Sequence, residues 1–445
     1  MSTIPQVSQA MQQLLTTAAQ DADAKLHYTK RADRAKFTAA TLTQTLVLGF
    51  LAHPDATVEQ LAQSAARVGV DVSPQAIDQR FTLATAALLQ EMVTSSMQYL
   101  ISTDPVAIPI LQRFSGVRVQ DSTTIVLPDA LAASWRGCGG SSPEHTSAAL
   151  KCGVQLDLLS GALCALDLAD GRASDHRLGL QHAALPKGSL RLADLGFYDL
   201  DVLAALSAQE VYWLSKLEPT ALITDESGRC SSLLAFVQAL GALEQWEGQV
   251  WVGKGRRVQA RLLVQRVPQE VADQRRRRLR KSARDKGVMP SAAALALADW
   301  TLLLTNIPAE LLRLGEALIL AKVRWQIELL FKLWKSQGQL ASWRTEKPAR
   351  ILCEVYAKLL AMVVQHWVLV IGCWQFPDRS LVKAAQVVRD HAVELASARA
   401  RLERLTEVLS TIEQVLRRTA RMTTRKKHPN TYQLLLALTT EPAQA

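Results

Sequence analysis

Val117-Arg118-Val119-Gln120-Asp121-Ser122-Thr123-Thr124 alternates apolar and polar side chains up to an aspartate. Such alternation predicts a half-buried strand. A second run, Leu190-Arg191-Leu192-Ala193, closes on Asp194 and leads into Leu195-Gly196-Phe197-Tyr198. Each run is expected to deliver an aspartate at a strand end. A third acid, Glu328, lies in the strongly helical stretch from Lys322 to Lys335. Two strand-end aspartates and a helix glutamate can converge into one carboxylate cluster. Oxygen ligands of that kind hold hard cations such as Mg²⁺. A pair of such ions about 3.5–4 Å apart clamps both oxygens of an in-line phosphodiester displacement.

The helix carries more than its glutamate. Arg324, Glu328 and Lys335 fall within about 40° of one another at roughly 100° per residue. Ile319, Val323, Ile327, Leu330 and Trp334 form a separate apolar stripe at helical spacing. One face thus suits a core, and the other sets two cations beside a carboxylate, an arrangement suited to a phosphate backbone. Taken alone, Arg324 and Glu328 also read as an ordinary i,i+4 pair, and a strand-end aspartate as a turn residue or helix cap. The joint order of two strand aspartates and a helix Arg/Glu/Lys favours the site.

Arg-x3-Glu-x6-Lys at Arg324, Glu328 and Lys335 resembles the signature of bacterial insertion-sequence transposases of the DDE type, within them the insertion-sequence-four family. Asp121-Ser-Thr and Asp194-x-Gly-Phe resemble that family's two aspartate motifs. The segment from Asp170 to His176 resembles its usual stretch between the aspartates. The family's third motif begins with a tyrosine three residues before the arginine, where this chain has Ala321. The resemblance covers roughly residues 20 to 375.

At 445 residues, two to four domains are expected. A hydrophobic content of 49% fits a folded protein, and a net charge of +10 favours a polyanionic partner. The six cysteines form no C-x-x-C pair, so they read as reduced thiols of a cytosolic protein rather than a zinc site. The N-terminus lacks the pattern of a signal peptide. The apolar run from Ile351 to Trp374 is interrupted by Glu354, Lys358, Gln365 and His366, which predicts a buried helix rather than a membrane span.

Residues 1–110 read as helical. A helix over Ala56–Ala65 and a second over Ser73–Phe81, joined through Gly69, resemble a helix-turn-helix whose second helix offers Gln75, Gln79 and Arg80 to DNA. A plain helical hairpin is the alternative. Strands are expected at Val117–Leu127, Leu150–Leu158, Ala162–Ala169, Leu190–Leu195 and Val211–Leu217, with a helix at Leu200–Ala208. That order fits an α/β, RNase H-like catalytic core, which the resemblance also implies, formed by 111–217 plus 300–375. Residues 218–299 form a β-rich insertion with strands at Gln249–Val252 and Val258–Val267 and a basic helical run at Arg275, Arg276, Arg277 and Arg278. The run reads as a DNA-backbone surface or as a solvated helix face. Residues 376–445 form a helical C-terminal region, with amphipathic helices over 379–418 able to mediate self-association and a second basic tract from Arg417 to Lys427. The junction Ser342–Thr345 is polar enough to face DNA or the active site.

The resemblance implies a DDE transposase that binds the terminal inverted repeats of a mobile element and catalyses metal-dependent cleavage and strand transfer. Asp121, Asp194 and Glu328 would hold two Mg²⁺ ions, with Mn²⁺ as a substitute, and Arg324 and Lys335 would position DNA phosphates. Its partners would be double-stranded transposon-end and target DNA and a second copy in a paired-end homodimer. It would work in the cytoplasm at the nucleoid and not at a membrane. Two alternatives remain: a catalytically inactive terminal-repeat-binding protein derived from a transposase, and a metal-dependent nuclease. Several members of the resembling family cut the second strand through a DNA hairpin, and if this chain does so Trp246 and Trp251 are candidate stacking residues, although core packing is the plainer role for either.

Overall fold

The computed structural model describes residues 3–29, 36–139, 147–255, 257–285, 287–376, 378–423 and 431–440. Ten strands form one mixed sheet. They are β1 Val117–Leu127, β2 Ala148–Asp157, β3 Leu163–Asp170, β4 Leu190–Ala193, β5 Tyr212–Lys216, β6 Leu222–Thr224, β7 Cys230–Ser232, β8 Gln245–Val252, β9 Val258–Arg266 and β10 Trp300–Thr305. Their spatial order is β3-β2-β1-β4-β5-β10-β9-β8-β6-β7. Strands β4 and β5 run parallel to β1, and every other neighbouring pair is antiparallel.

The β2–β3 hairpin turns at Gly161, which takes φ +77° with Trp374 packed where a Cβ would lie. Only glycine meets both demands at no cost. Strands β6 to β9, from the segment between the second aspartate and the glutamate, do not stand apart. They join the sheet through β10, which pairs with β5 on one side and β9 on the other. Their apolar faces pack with the Leu200–Ala208 helix around Trp213, Val250, Leu262 and Leu304.

Helices from both ends of the chain form one layer. Pro348–Gly372 is its axis, buried along nearly its whole length, and packs against Ala39–Ala52, Leu83–Ser96, Leu381–Asp390 and Leu402–Arg418. It is long and apolar enough to cross a membrane, yet its most apolar window is wholly enclosed by the fold. Lys358, buried on this helix, donates to the carbonyls of Gln339 at 3.3 Å and Ser342 at 2.6 Å. Those bonds fix the loop that follows the Glu328 helix.

Four sequence expectations need correction. The helix predicted over 322–335 is two segments, Leu314–Val323 and Trp325–Ser336, meeting at Arg324. The second starts with a tight bond from Ile327 N–H to the Arg324 carbonyl. The helix predicted over Ser73–Phe81 stops at Asp78, because Thr82 already caps the next helix, Leu83–Ser96. Gln79 and Arg80 therefore lie in a turn. Asp121 is the fifth residue of an eleven-residue strand and not its end. The amphipathic 402–418 helix spends its apolar stripe, Leu405, Leu409, Ile412 and Leu416, inside the molecule against the first helix, Ile4–Gln12, and its neighbours. That stripe is closed to self-association. The basic tract begins with Arg417 paired to Glu413 at 2.8 Å, and its residues 424–427 lie outside the described residues.

Candidate active site

Strand register builds the site. Val119, Leu192 and Leu214 stand in line across β1, β4 and β5, all buried on one face of the sheet. Side chains alternate along a strand, so that face next shows the residues two positions further on. These are Asp121, Asp194 and Lys216. Strand β4 ends at Ala193 and β5 at Lys216, whereas β1 continues to Leu127. A crevice opens where the two neighbours stop.

Glu328 comes to the same place from the helix. Ile327, Leu330 and Trp334 are buried against the core on that face, and Phe331 adds to them. Glu328 is thereby turned toward Asp121 and Asp194. The opposite anchor is the pair of hydrogen bonds that the Arg113 guanidinium donates to the Glu316 carboxylate, at 2.9 and 2.7 Å, at the start of the preceding helical segment.

The three carboxylates surround one guanidinium. Arg324 Nη1 donates to Asp121 Oδ2 at 2.8 Å, and its Nη2 donates to Glu328 Oε1 at 2.8 Å and lies 3.7 Å from Asp194 Oδ1. Lys216 Nζ stands 3.4 Å from Asp194 Oδ1. Burial pushes the Asp121 carboxyl above its ordinary pKa, outweighing the Ser122 amide and Arg324. Burial acts the same way on Asp194, but Arg324 and Lys216 together reverse it and hold that carboxyl low. The closer ion pair thus belongs to the carboxyl with the raised value. Asp121 is the more enclosed, its side chain keeping 17% of its exposure against 41% for Asp194, and the Asp194 and Glu328 carboxylates raise its pKa further, whereas Asp194 has Lys216 as a second counter-ion.

The donor set suits a hard divalent cation: three carboxylates, all hard oxygen ligands, already gathered about a cation. Among the described residues no group of three His, Cys, Asp or Glu side chains stands in ligand geometry. Asp121, Asp194 and Glu328 are instead arranged around the Arg324 guanidinium. A metal ion would take over the charge balance that Arg324 supplies.

Lys335 Nζ donates to the Thr124 carbonyl of β1 at 2.9 Å, and burial lowers its pKa. Ala321, at the family's tyrosine position, packs half-buried against the core. Gln75, Gln79 and Arg80 are exposed, far along the chain from the crevice. Arg275 reaches inward to the Trp300 carbonyl at 2.7 Å and Thr301 Oγ1 at 2.9 Å, and Arg276 pairs with Asp273 and Asp299. Arg277 and Arg278 are exposed. The basic run is therefore half structural and half surface. Trp246 is half-buried and meets Phe236 edge to face at 5.1 Å, and Trp251 is half-buried on the same strand. Arg344 of the polar junction pairs with Asp55 at 2.8 Å.

Sequence reading missed Lys216. The signal lay in register: pairing Leu192 with Leu214 sets Lys216 level with Asp194, but pairing is invisible before the sheet is assembled.

The model of the transposase DDE domain matches residues 112–364, which contain both aspartates, the glutamate, Arg324 and Lys335. The chain is similar to the transposase of insertion sequence element IS231E of Bacillus thuringiensis subsp. finitimus, 24% identical over 414 residues, 86% of this chain and 84% of the relative. It is likewise 24% identical to the transposase of IS231B of Bacillus thuringiensis subsp. berliner over 443 residues, 92% and 90% of the two chains. With the transposase of IS1151 of Clostridium perfringens it shares 23% over 338 residues, 70% of each. A match over more than half of the chain, centred on the carboxylate crevice, places this protein in the transposase DDE domain family: it is a DNA transposase of the bacterial insertion-sequence kind, and its chemistry depends on a divalent metal.

Proposed function

We propose that this transposase acts on the terminal inverted repeats of its own element, cutting the ends and joining them to target DNA. The convergence of Asp121, Asp194 and Glu328 on one cation carries this reading. The core is proposed to be RNase H-like, because the order β3-β2-β1-β4-β5, with β4 and β5 parallel to β1, sets the first acid on β1 and the second just past the end of its parallel neighbour β4. Residues 1–110 would serve DNA binding, 218–299 would be an insertion domain, and 376–445 a helical C-terminal region.

In this reading Asp121, Asp194 and Glu328 hold two Mg²⁺ ions, or Mn²⁺ in their place. Bound there, the pair of cations would balance charge on the attacking and leaving oxygens of the in-line displacement. The chain's own cations do the rest. Lys216 and Lys335 flank the crevice at the β5 end and beside β1, where they can take DNA phosphates. Arg324, once released from the carboxylates, reaches the same space. Exposed Gln75, Gln79 and Arg80, with Arg277 and Arg278, would contact DNA further out. Two copies, one per element end, would form the working complex at the nucleoid.

The test mixes purified protein with end-labelled terminal-repeat duplex, target plasmid and Mg²⁺. Cutting followed by joining to the plasmid is the expected result. Cutting without joining would make the protein a nuclease, and a mobility shift alone would make it a repeat-binding protein.

A further inference from the structure

Side-chain alternation turns Ser122 to the back of the sheet while Asp121 faces the Glu328 helix. On that back face Asp175 Oδ1 accepts from Ser122 Oγ at 2.7 Å and from Lys151 Nζ at 2.9 Å. Lys151 lies opposite Thr124, one strand over, on the same face. The next residue, His176, sets Nδ1 3.0 Å from the carbonyl oxygen of Gly196. Gly196 comes two residues after Asp194. A Cβ added to Gly196 would lie 2.3 Å from Asp175 Oδ2, so the two segments touch without spare room. One short turn, Asp175–Arg177, thus grips the residue after the first aspartate and the turn after the second.

The grip is independent of the parallel pairing of β1 with β4. That pairing ends at Gln120 and Ala193, one residue short of both aspartates. Beyond it no ladder bond holds Asp121 and Asp194 at a fixed separation. The Asp175 turn ties the two across that gap from behind, beside Gln181, which accepts from Gln120 Nε2 at 3.3 Å and donates to the Phe197 carbonyl at 3.1 Å. None of its bonds uses a carboxylate of the crevice.

The geometry points to Asp175 as a positioning residue that sets the spacing of Asp121 and Asp194, and so their affinity for a divalent cation. This rests on the reading of the crevice as a metal site. Partners behind metal ligands typically change affinity 10- to 100-fold when removed. Asp175→Ala frees Ser122 and Lys151 together. Asp175→Asn keeps an acceptor for Ser122 and loses the charge pair with Lys151.

The experiment measures Mn²⁺ binding to the purified full chain from the electron paramagnetic resonance of free Mn²⁺, for wild type, Asp175→Ala, Asp175→Asn, Gly196→Ala and Asp121→Asn. Asp175→Ala should weaken Mn²⁺ by about 10-fold or more, with Asp175→Asn between it and wild type. Its cleavage rate should fall at low Mn²⁺ and recover as Mn²⁺ is raised, with end-DNA affinity unchanged. Gly196→Ala moves the same turn without removing a charge, and should weaken Mn²⁺ as well. It serves as the deciding variant if Asp175→Ala fails to fold. Wild-type Mn²⁺ affinity in the folded Asp175 and Gly196 variants, with Asp121→Asn impaired, would overturn the positioning role and leave the metal site standing. Absence of Mn²⁺ binding in wild type would overturn both.

Discussion

Arg324 Nη1 stands 2.8 Å from Asp121 Oδ2, so the arginine of the helix motif closes directly onto the first aspartate. The same guanidinium reaches Glu328 and approaches Asp194. A divalent cation and Arg324 therefore compete for one set of carboxylates. Arg324→Ala should lower the metal-free melting temperature, since three acids lose their common counter-ion. It should also enlarge the stabilisation gained on adding Mn²⁺, which for wild type would reach about 2.7 kcal/mol at a hundred times Kd. Thermal melts in EDTA and in MnCl₂ would show it; an equal Mn²⁺ gain in both proteins would contradict the competition.

Removing charge from the crevice while keeping side-chain size should end catalysis. Asp121→Asn, Asp194→Asn and Glu328→Gln are each expected to abolish cleavage and strand transfer. Terminal-repeat binding should stay within a few-fold of wild type, because other surfaces carry it. Wild-type cleavage by any one of these variants would remove that residue from the site.

The two aspartates should respond oppositely to pH. The folded Asp121 carboxyl titrates above its ordinary value of 3.8, so its contribution to stability is present at low pH and lost as pH rises through the folded value. Asp194 titrates below 3.8, so its contribution is present above that value and lost as pH falls through the lowered one. At pH 7 in EDTA, Asp194→Asn should lower the melting temperature, modestly because the group is partly exposed, while Asp121→Asn should leave it unchanged or raise it. The reverse ranking would refute the assignment.

The basic run should divide by direction. Arg277→Ser with Arg278→Ser should flatten the dependence of log affinity on log salt by about 0.9 per lost phosphate contact, with little change in melting temperature. Arg275→Ser with Arg276→Ser should instead destabilise the fold, because their guanidinium groups bind Trp300, Thr301, Asp273 and Asp299. An unchanged salt slope in the first pair would make Arg277 and Arg278 a solvated face.

Much of this molecule was legible before folding. Alternation marked the strand that runs from Val117 into Asp121, and located the start of β4 at Leu190. Three spaced motifs identified Asp121, Asp194 and Glu328 as a group, because motif spacing is written along the chain. Helical periodicity told which side of the Glu328 helix is buried, since that depends on 3.6 residues per turn and not on neighbours. Tertiary structure decided what depends on distant partners. Lys216 enters the crevice only because β5 pairs with β4 in register. Arg275 turns inward only because β10 offers it a carbonyl. The helix breaks at Arg324, whose side chain reaches a strand 203 residues earlier in the chain. Asp175 acquires its place from contacts with Ser122 and Gly196, on either side of it in sequence and joined only across the back of the sheet. Local rules set the elements; long-range register and the balance of charge set the site.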